Sequence, residues 1–193
     1  ISNRRLPGIS EQVWQLTEVM FHDVVNPPAA SRFYAYALLS GYETLCQLGD
    51  SVSRWQDQFR DYPVIKTAAD MNAADKELAV LYAILETGRN MLPSGYLLEE
   101  KQKQLVSAFM ARGIGKPVAD ASIAVAAIIS KSIVTYARAD GYFRLSTIKR
   151  YKPLDGEQNW QPTPPEYMAA VEPHWKTIRT FFIDSASRFT PAT

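Results

Sequence analysis

No stretch of this sequence alternates apolar and polar residues with a sustained period of two. Apolar residues recur instead at spacings of three and four, the signature of helices that bury one face. Val13, Leu16, Thr17, Met20 and Phe21 trace one such face, with Ser10 placed to cap it. Asn26 followed by Pro27 and Pro28 predicts a second helix. Asn caps, and Pro in the first turn loses no needed hydrogen bond. That helix is expected to run to about Leu48 and stop at Gly49. Asn72 with Asp75 marks a third start, with Leu78, Leu81, Tyr82 and Leu85 facing the core and Gly88 as the expected end. Ser94 is placed to cap a fourth helix reaching about Arg112. Pro117 opens an Ala-rich fifth that ends near Gly141. Small residues on several faces of that last helix predict a central position with close neighbours.

Residues 142–165 break the pattern. They are aromatic, basic and Pro-rich, and read as a long ordered loop. Thr163 with Glu166 forms a capping-box pattern for a short helix around Pro164 to Val171, and Trp175 to Ile183 reads as a further helix or an extended strand. The fold class expected is all-α: one domain over residues 1–193, an antiparallel bundle of about five long helices with a Pro-rich irregular segment near the C-terminus.

Composition removes several functions. With 21 basic and 20 acidic residues the net charge is +1, so the chain has no basic footprint for nucleic acid. The longest purely apolar run, Ile123 to Ile129, is far short of the roughly 20 residues a membrane span needs, so no transmembrane segment is expected. The polar start from Ile1 to Arg5 carries no secretory signal, though one could already have been removed. The single cysteine, Cys46, can form no intrachain disulfide and reads as a small buried residue.

Few residues carry chemistry. Glu18 and His22 share a helix face, with Asp23 next, but no second histidine stands at metal-ligand spacing. These residues read as a polar network at a helix end, so no metal, cofactor-binding or catalytic residue is assigned. Arg32 and Glu43 lie on one face of the second helix about 16 Å apart, so each needs a partner from another element. Pro93-Ser94-Gly95 reads as a helix start rather than a phosphate cradle, because no cation accompanies it.

Three segments together resemble the vanadium-dependent haloperoxidases and the related type 2 phosphatidic acid phosphatase superfamily. The first is Phe21-His22-Asp23-Val24-Val25-Asn26-Pro27-Pro28-Ala29-Ala30-Ser31-Arg32, continuing to Glu43. The second is Gly156, then Trp160-Gln161-Pro162-Thr163-Pro164-Pro165, then Glu172-Pro173-His174-Trp175. The third is Ile178-Arg179-Thr180-Phe181-Phe182 with Ser187-Arg188-Phe189-Thr190-Pro191, where Thr180 stands in place of the usual proline. The Trp160 to Pro165 run is the most specific of them.

The resemblance implies the amino-terminal half of a larger protein. The family's catalytic motifs lie in its second half: Lys-x6-Arg-Pro, Pro-Ser-Gly-His and Ser-Arg-x5-His. None is complete here. There is no Arg-Pro dipeptide, Tyr96 follows Pro93-Ser94-Gly95 where histidine is needed, and Ser31-Arg32 and Ser53-Arg54 have Leu38 and Arg60 at the histidine position. The resemblance therefore implies a full-length phosphatase or haloperoxidase, with vanadate as a candidate cofactor of that longer protein and none held by this chain. It also implies that this chain alone is inactive, that its partner is the C-terminal catalytic half, and that apolar surface left uncovered drives self-association. Export or a periplasmic location follows from the resemblance alone. His22, Asp23, Arg32, Glu43 and Trp160 are the candidates for a structural polar network or a pocket wall. The competing expectation is a non-catalytic helical interaction module.

Overall fold

The computed structural model describes residues 8–49, 55, 57–66 and 70–189. Ser53-Arg54 and Thr190-Pro191 of the segments above, and the polar start, lie outside them. The described residues form five α-helices and several 3-10 turns: α1 (Ile9–His22), α2 (Pro27–Leu48), α3 (Lys76–Met91), α4 (Leu98–Met110) and α5 (Lys116–Arg138). No strand occurs among them, and the all-α class holds.

Local signals place several ends. Asn26 Oδ1 accepts from the Ala29 amide at 3.0 Å, and Pro27 and Pro28 occupy the first turn of α2. Asp75 caps α3 by accepting from Leu78 N at 2.8 Å. Gly49 follows α2 in an extended conformation, and Pro117 stands in the first turn of α5.

Five expectations are corrected. The N-cap of α1 is Gly8, whose carbonyl accepts from Glu11 and Gln12, so Ser10 lies inside the helix. Gly88 does not end α3, which runs to Met91; it lets α1 approach, because a Cβ there would run into Leu16 Cδ2. Ser94 does not cap α4: its amide and hydroxyl go to Asp23, and a 3-10 turn, Gly95–Leu97, precedes that helix. Thr163 and Glu166 start no helix. Tyr167 N bonds back to Thr163 O, but Tyr167 sits at φ 47°, and this left-handed residue halts the turn. The segment from Trp175 is neither a helix nor a strand throughout: a 3-10 turn, Trp175–Thr177, leads into an irregular strap over residues 178–184.

Two apolar clusters form the core. One joins Leu16, Phe33, Leu78, Leu85, Leu98 and Phe109 from α1 to α4, with Ala119 from α5. The other joins Tyr36 and Leu39 of α2 to Val125, Ile129 and Ile133 of α5, with Phe59 and Ile65 from the connection before α3. Small polar residues stitch the helices where they touch. Ser40 Oγ donates to Ala83 O at 2.9 Å, Thr87 and Ser130 share a hydrogen bond at 2.9 Å, and Ser122 Oγ accepts from Asp75 N at 2.8 Å. By length and composition alone the stretch Lys116–Thr147 is apolar enough to cross a membrane, its most apolar 18-residue window reaching a mean hydropathy of 1.6. Its longest unbroken apolar run is only Ile123 to Ile129. In the fold, α5 presents that apolarity to α2 and α3, where Val125, Ile129 and Ile133 are fully buried.

Candidate functional site

The densest polar arrangement lies where the start of α2, the end of α5 and the strap meet. Arg32 enters the core from the second turn of α2, and only 3% of its side chain is exposed. Such a charge needs a partner. Asp140, two residues past α5 and 1% exposed, supplies it: Arg32 Nε donates to Asp140 Oδ2 at 2.6 Å. Arg32 Nη2 donates to Ala137 O at 2.8 Å, and Tyr36 Oη donates to the same carboxylate oxygen at 3.0 Å. Asp140 Oδ1 accepts from Tyr142 N at 2.8 Å and so shapes the turn after α5. Gly141 makes that turn at φ 96°. The Arg32 guanidinium lies 4.5 Å from the Tyr142 ring and 5.1 Å from the Tyr36 ring, within cation–π range of both.

The strap closes over this junction. Arg179 N donates to Asp140 O at 2.8 Å, Arg179 Nη2 donates to Tyr136 O at 2.8 Å, and its guanidinium stacks 3.7 Å from the Tyr136 ring centre. Phe181 packs on Tyr36 and Phe59. Burial, with the Asp140 carboxylate beside it, raises the Tyr36 phenol well above its ordinary value. Tyr36 therefore serves as a neutral donor. Arg32 and Asp140 neutralise each other away from solvent, an arrangement suited to holding three elements together rather than to moving protons.

The other candidates are dispersed. Glu43, buried toward the far end of α2, accepts from Tyr62 Oη at 3.0 Å and from Gln47 Nε2 at 2.8 Å. Burial, followed by the charge of Glu43, raises the Tyr62 phenol. His22 lies exposed at the end of α1, with Nδ1 3.2 Å from Asp23 Oδ1. Burial of Asp23 opposes its charge, but donors from Ser94 and His22 outweigh this and lower its pKa. Glu18 faces Lys101 instead, at 3.6 Å. Trp160 is half exposed. It lines a surface cleft of about 630 Å³ with Tyr151, Pro164, Met168 and Val171. The structure thus brings Arg32 to Asp140 and His22 to Asp23, and leaves Glu43 and Trp160 in separate places. Asp140 was not among the residues singled out from the sequence, and Arg179 stood there only as a member of the third segment. The one signal for Asp140 was that Arg32 required an acid from another element.

Among the described residues no group of three or more His, Cys, Asp or Glu side chains could hold a metal ion. His174 Nε2 lies 3.1 Å from Lys149 O, where its tautomer sets donor and acceptor. Vanadate needs a histidine together with several cationic donors. No complete motif for such a set stands in this sequence.

No family model and no curated protein matches the sequence. Among solved structures, the chain is similar to a bacterial vanadium-dependent iodoperoxidase, with a TM-score of 0.84 and 28% sequence identity. The match covers 95% of this chain and 44% of that one, so this chain spans less than half of the iodoperoxidase's length. The resemblance to vanadium-dependent haloperoxidases carried by the three sequence segments has its counterpart in the fold, and the coverage agrees with a match to one half of such a protein.

Proposed function

We propose that residues 1–193 are the helical supporting half of a vanadium haloperoxidase-like protein whose catalytic residues lie further along the full-length chain. The observation that carries this reading is the fold similarity confined to 44% of the iodoperoxidase chain. The incomplete catalytic motifs of this sequence accord with it. The neighbour's own chemistry favours peroxide-dependent oxidation of iodide for the full-length protein, with phosphomonoester hydrolysis as the alternative.

In this reading the present chain takes no chemical step. Vanadate, held by the other half, would supply the oxidation chemistry. The sequence carries none of the family's catalytic motifs complete, so no step is routed through its residues. Their work is mechanical. The Arg32–Asp140 pair and the Arg179 strap hold the ends of α2 and α5 in one geometry, against which a second bundle can seat. Phe21, Val24 and Phe182 are largely exposed apolar side chains, and such surface seats a partner or drives self-association. The same exposure supports the second reading, a helical interaction module without catalysis.

The reading frame beyond Thr193 separates the two. A continuation carrying Lys-x6-Arg-Pro and Pro-Ser-Gly-His supports the enzyme reading, and a frame that closes there favours the module. With the longer protein in hand, vanadate-dependent oxidation of iodide by peroxide identifies a haloperoxidase. A phosphatase inhibited by vanadate identifies the alternative.

A further inference from the structure

A second cleft, of about 630 Å³, opens beside the Arg32–Asp140 junction, between the turn after α5 and the strap. Arg60, Arg144, Lys176 and Arg179 all line it, drawn from three separate parts of the chain. This concentration stands out in a protein whose net charge is only +1. Two of the four are held in place. Arg179 is fixed by the Tyr136 carbonyl and ring, and Arg60 Nη1 donates to Asp184 O at 2.7 Å. The other two, Arg144 and Lys176, are exposed, and among the described residues neither has an ion-pair partner.

The acids at the cleft do not cancel this charge. Asp140 is already neutralised by Arg32, and both of its oxygens are occupied. Asp184 lines the wall, and Asp61 forms a long, exposed ion pair with Arg60 at 3.8 Å. Two carboxylates therefore face four cations. Guanidinium and ammonium groups around one space bind doubly charged oxyanions through short charge-assisted hydrogen bonds. The volume lies in the range of small-molecule pockets and exceeds what a bare ion fills.

We propose that this cleft is a binding site for a phosphorylated small molecule. Arg179 and Arg60 form its pre-set floor, and Arg144 and Lys176 close on the phosphate from the rim. Binding is electrostatic and reversible. No histidine lines the cleft, so no covalent bond to phosphorus is implied. The site is built from this chain's own residues.

The test is calorimetric titration of the chain with inorganic pyrophosphate and, separately, with phenyl phosphate, at low and at raised sodium chloride. The expected result is saturable one-to-one binding that weakens with salt. Tighter binding of pyrophosphate points to a free polyphosphate ligand, and tighter binding of phenyl phosphate to an organic monoester. Arg144→Ala with Lys176→Ala should lower the affinity about tenfold or more. Because both side chains are exposed, the far-UV spectrum and the unliganded Tm should stay unchanged. Lys131→Ala, an exposed cation on α5, should bind as the unaltered chain does. Absence of saturable binding to either compound overturns the proposal, and so does affinity retained in the double variant or lost equally in Lys131→Ala.

Discussion

Arg32 and Asp140, 108 positions apart in the chain, meet at 2.6 Å in the core and tie the beginning of α2 to the end of α5. Removing one member leaves the other charged, buried and unpaired. Asp140→Asn is expected to cost about 3–5 kcal/mol in urea unfolding. Arg32→Met with Asp140→Asn should recover part of that loss, because no bare charge remains. A double variant less stable than the single one would contradict this account of the pair.

Gly88 sits inside α3, where alanine is ordinarily better by about 1 kcal/mol. Here the added Cβ would collide with Leu16 Cδ2 and press on Leu98 Cδ1 at 3.2 Å. Overpacking should outweigh propensity, so Gly88→Ala is expected to destabilise by about 1–3 kcal/mol. A gain in stability would mean that α1 is free to shift.

Val24 ends α1 with φ 51°, a left-handed conformation that strains a β-branched side chain. It is 87% exposed, so no packing is lost when it is replaced. Val24→Gly is expected to raise stability by about 0.5–1 kcal/mol, read from the same urea curves. Unchanged or lowered stability would remove strain from the description of this turn.

Glu86 governs part of the acid response. Burial works against its charge, but donors on Arg89, Gln102 and Asn90 outweigh that and hold its pKa below the ordinary 4.5. Its folded pKa is depressed, so its contribution is present above about pH 4.5 and is lost as the pH falls toward the folded value. Glu86→Gln should therefore be less stable at neutral pH, and its stability should change less between pH 5 and 3 than that of the unaltered chain, in a window set by about the ordinary carboxylate pKa. Equal slopes would assign the acid response to other groups.

Local chemistry was legible in the sequence. The Asn26-Pro27-Pro28 opening, the Asp75 cap and the Pro117 start each satisfy backbone groups within one turn, so neighbouring residues suffice to place them. What failed depends on distant partners. Gly88 looks like a helix stop until α1 lies against it. Ser94 has the chemistry of a cap, but the Asp23 carboxylate, 71 positions earlier, takes its amide. Thr163 and Glu166 have capping-box spacing, yet Tyr167 turns left-handed. Arg32 announced that it needed an acid, but spacing alone could not choose Asp140. The cleft of four cations draws on residues from 60 to 179, which no linear pattern links. The Trp160 to Pro165 run pointed to a family and stands on the surface, away from the buried polar junction.

In the proposed arrangement this helical chain supports catalysis carried by another segment. Its most direct test measures iodide oxidation by residues 1–193, and by the protein encoded by the uninterrupted reading frame, each with vanadate and hydrogen peroxide. The expected result is a background rate for residues 1–193 and vanadate-dependent turnover for the longer protein. Sustained vanadate-dependent turnover by residues 1–193 alone would contradict it.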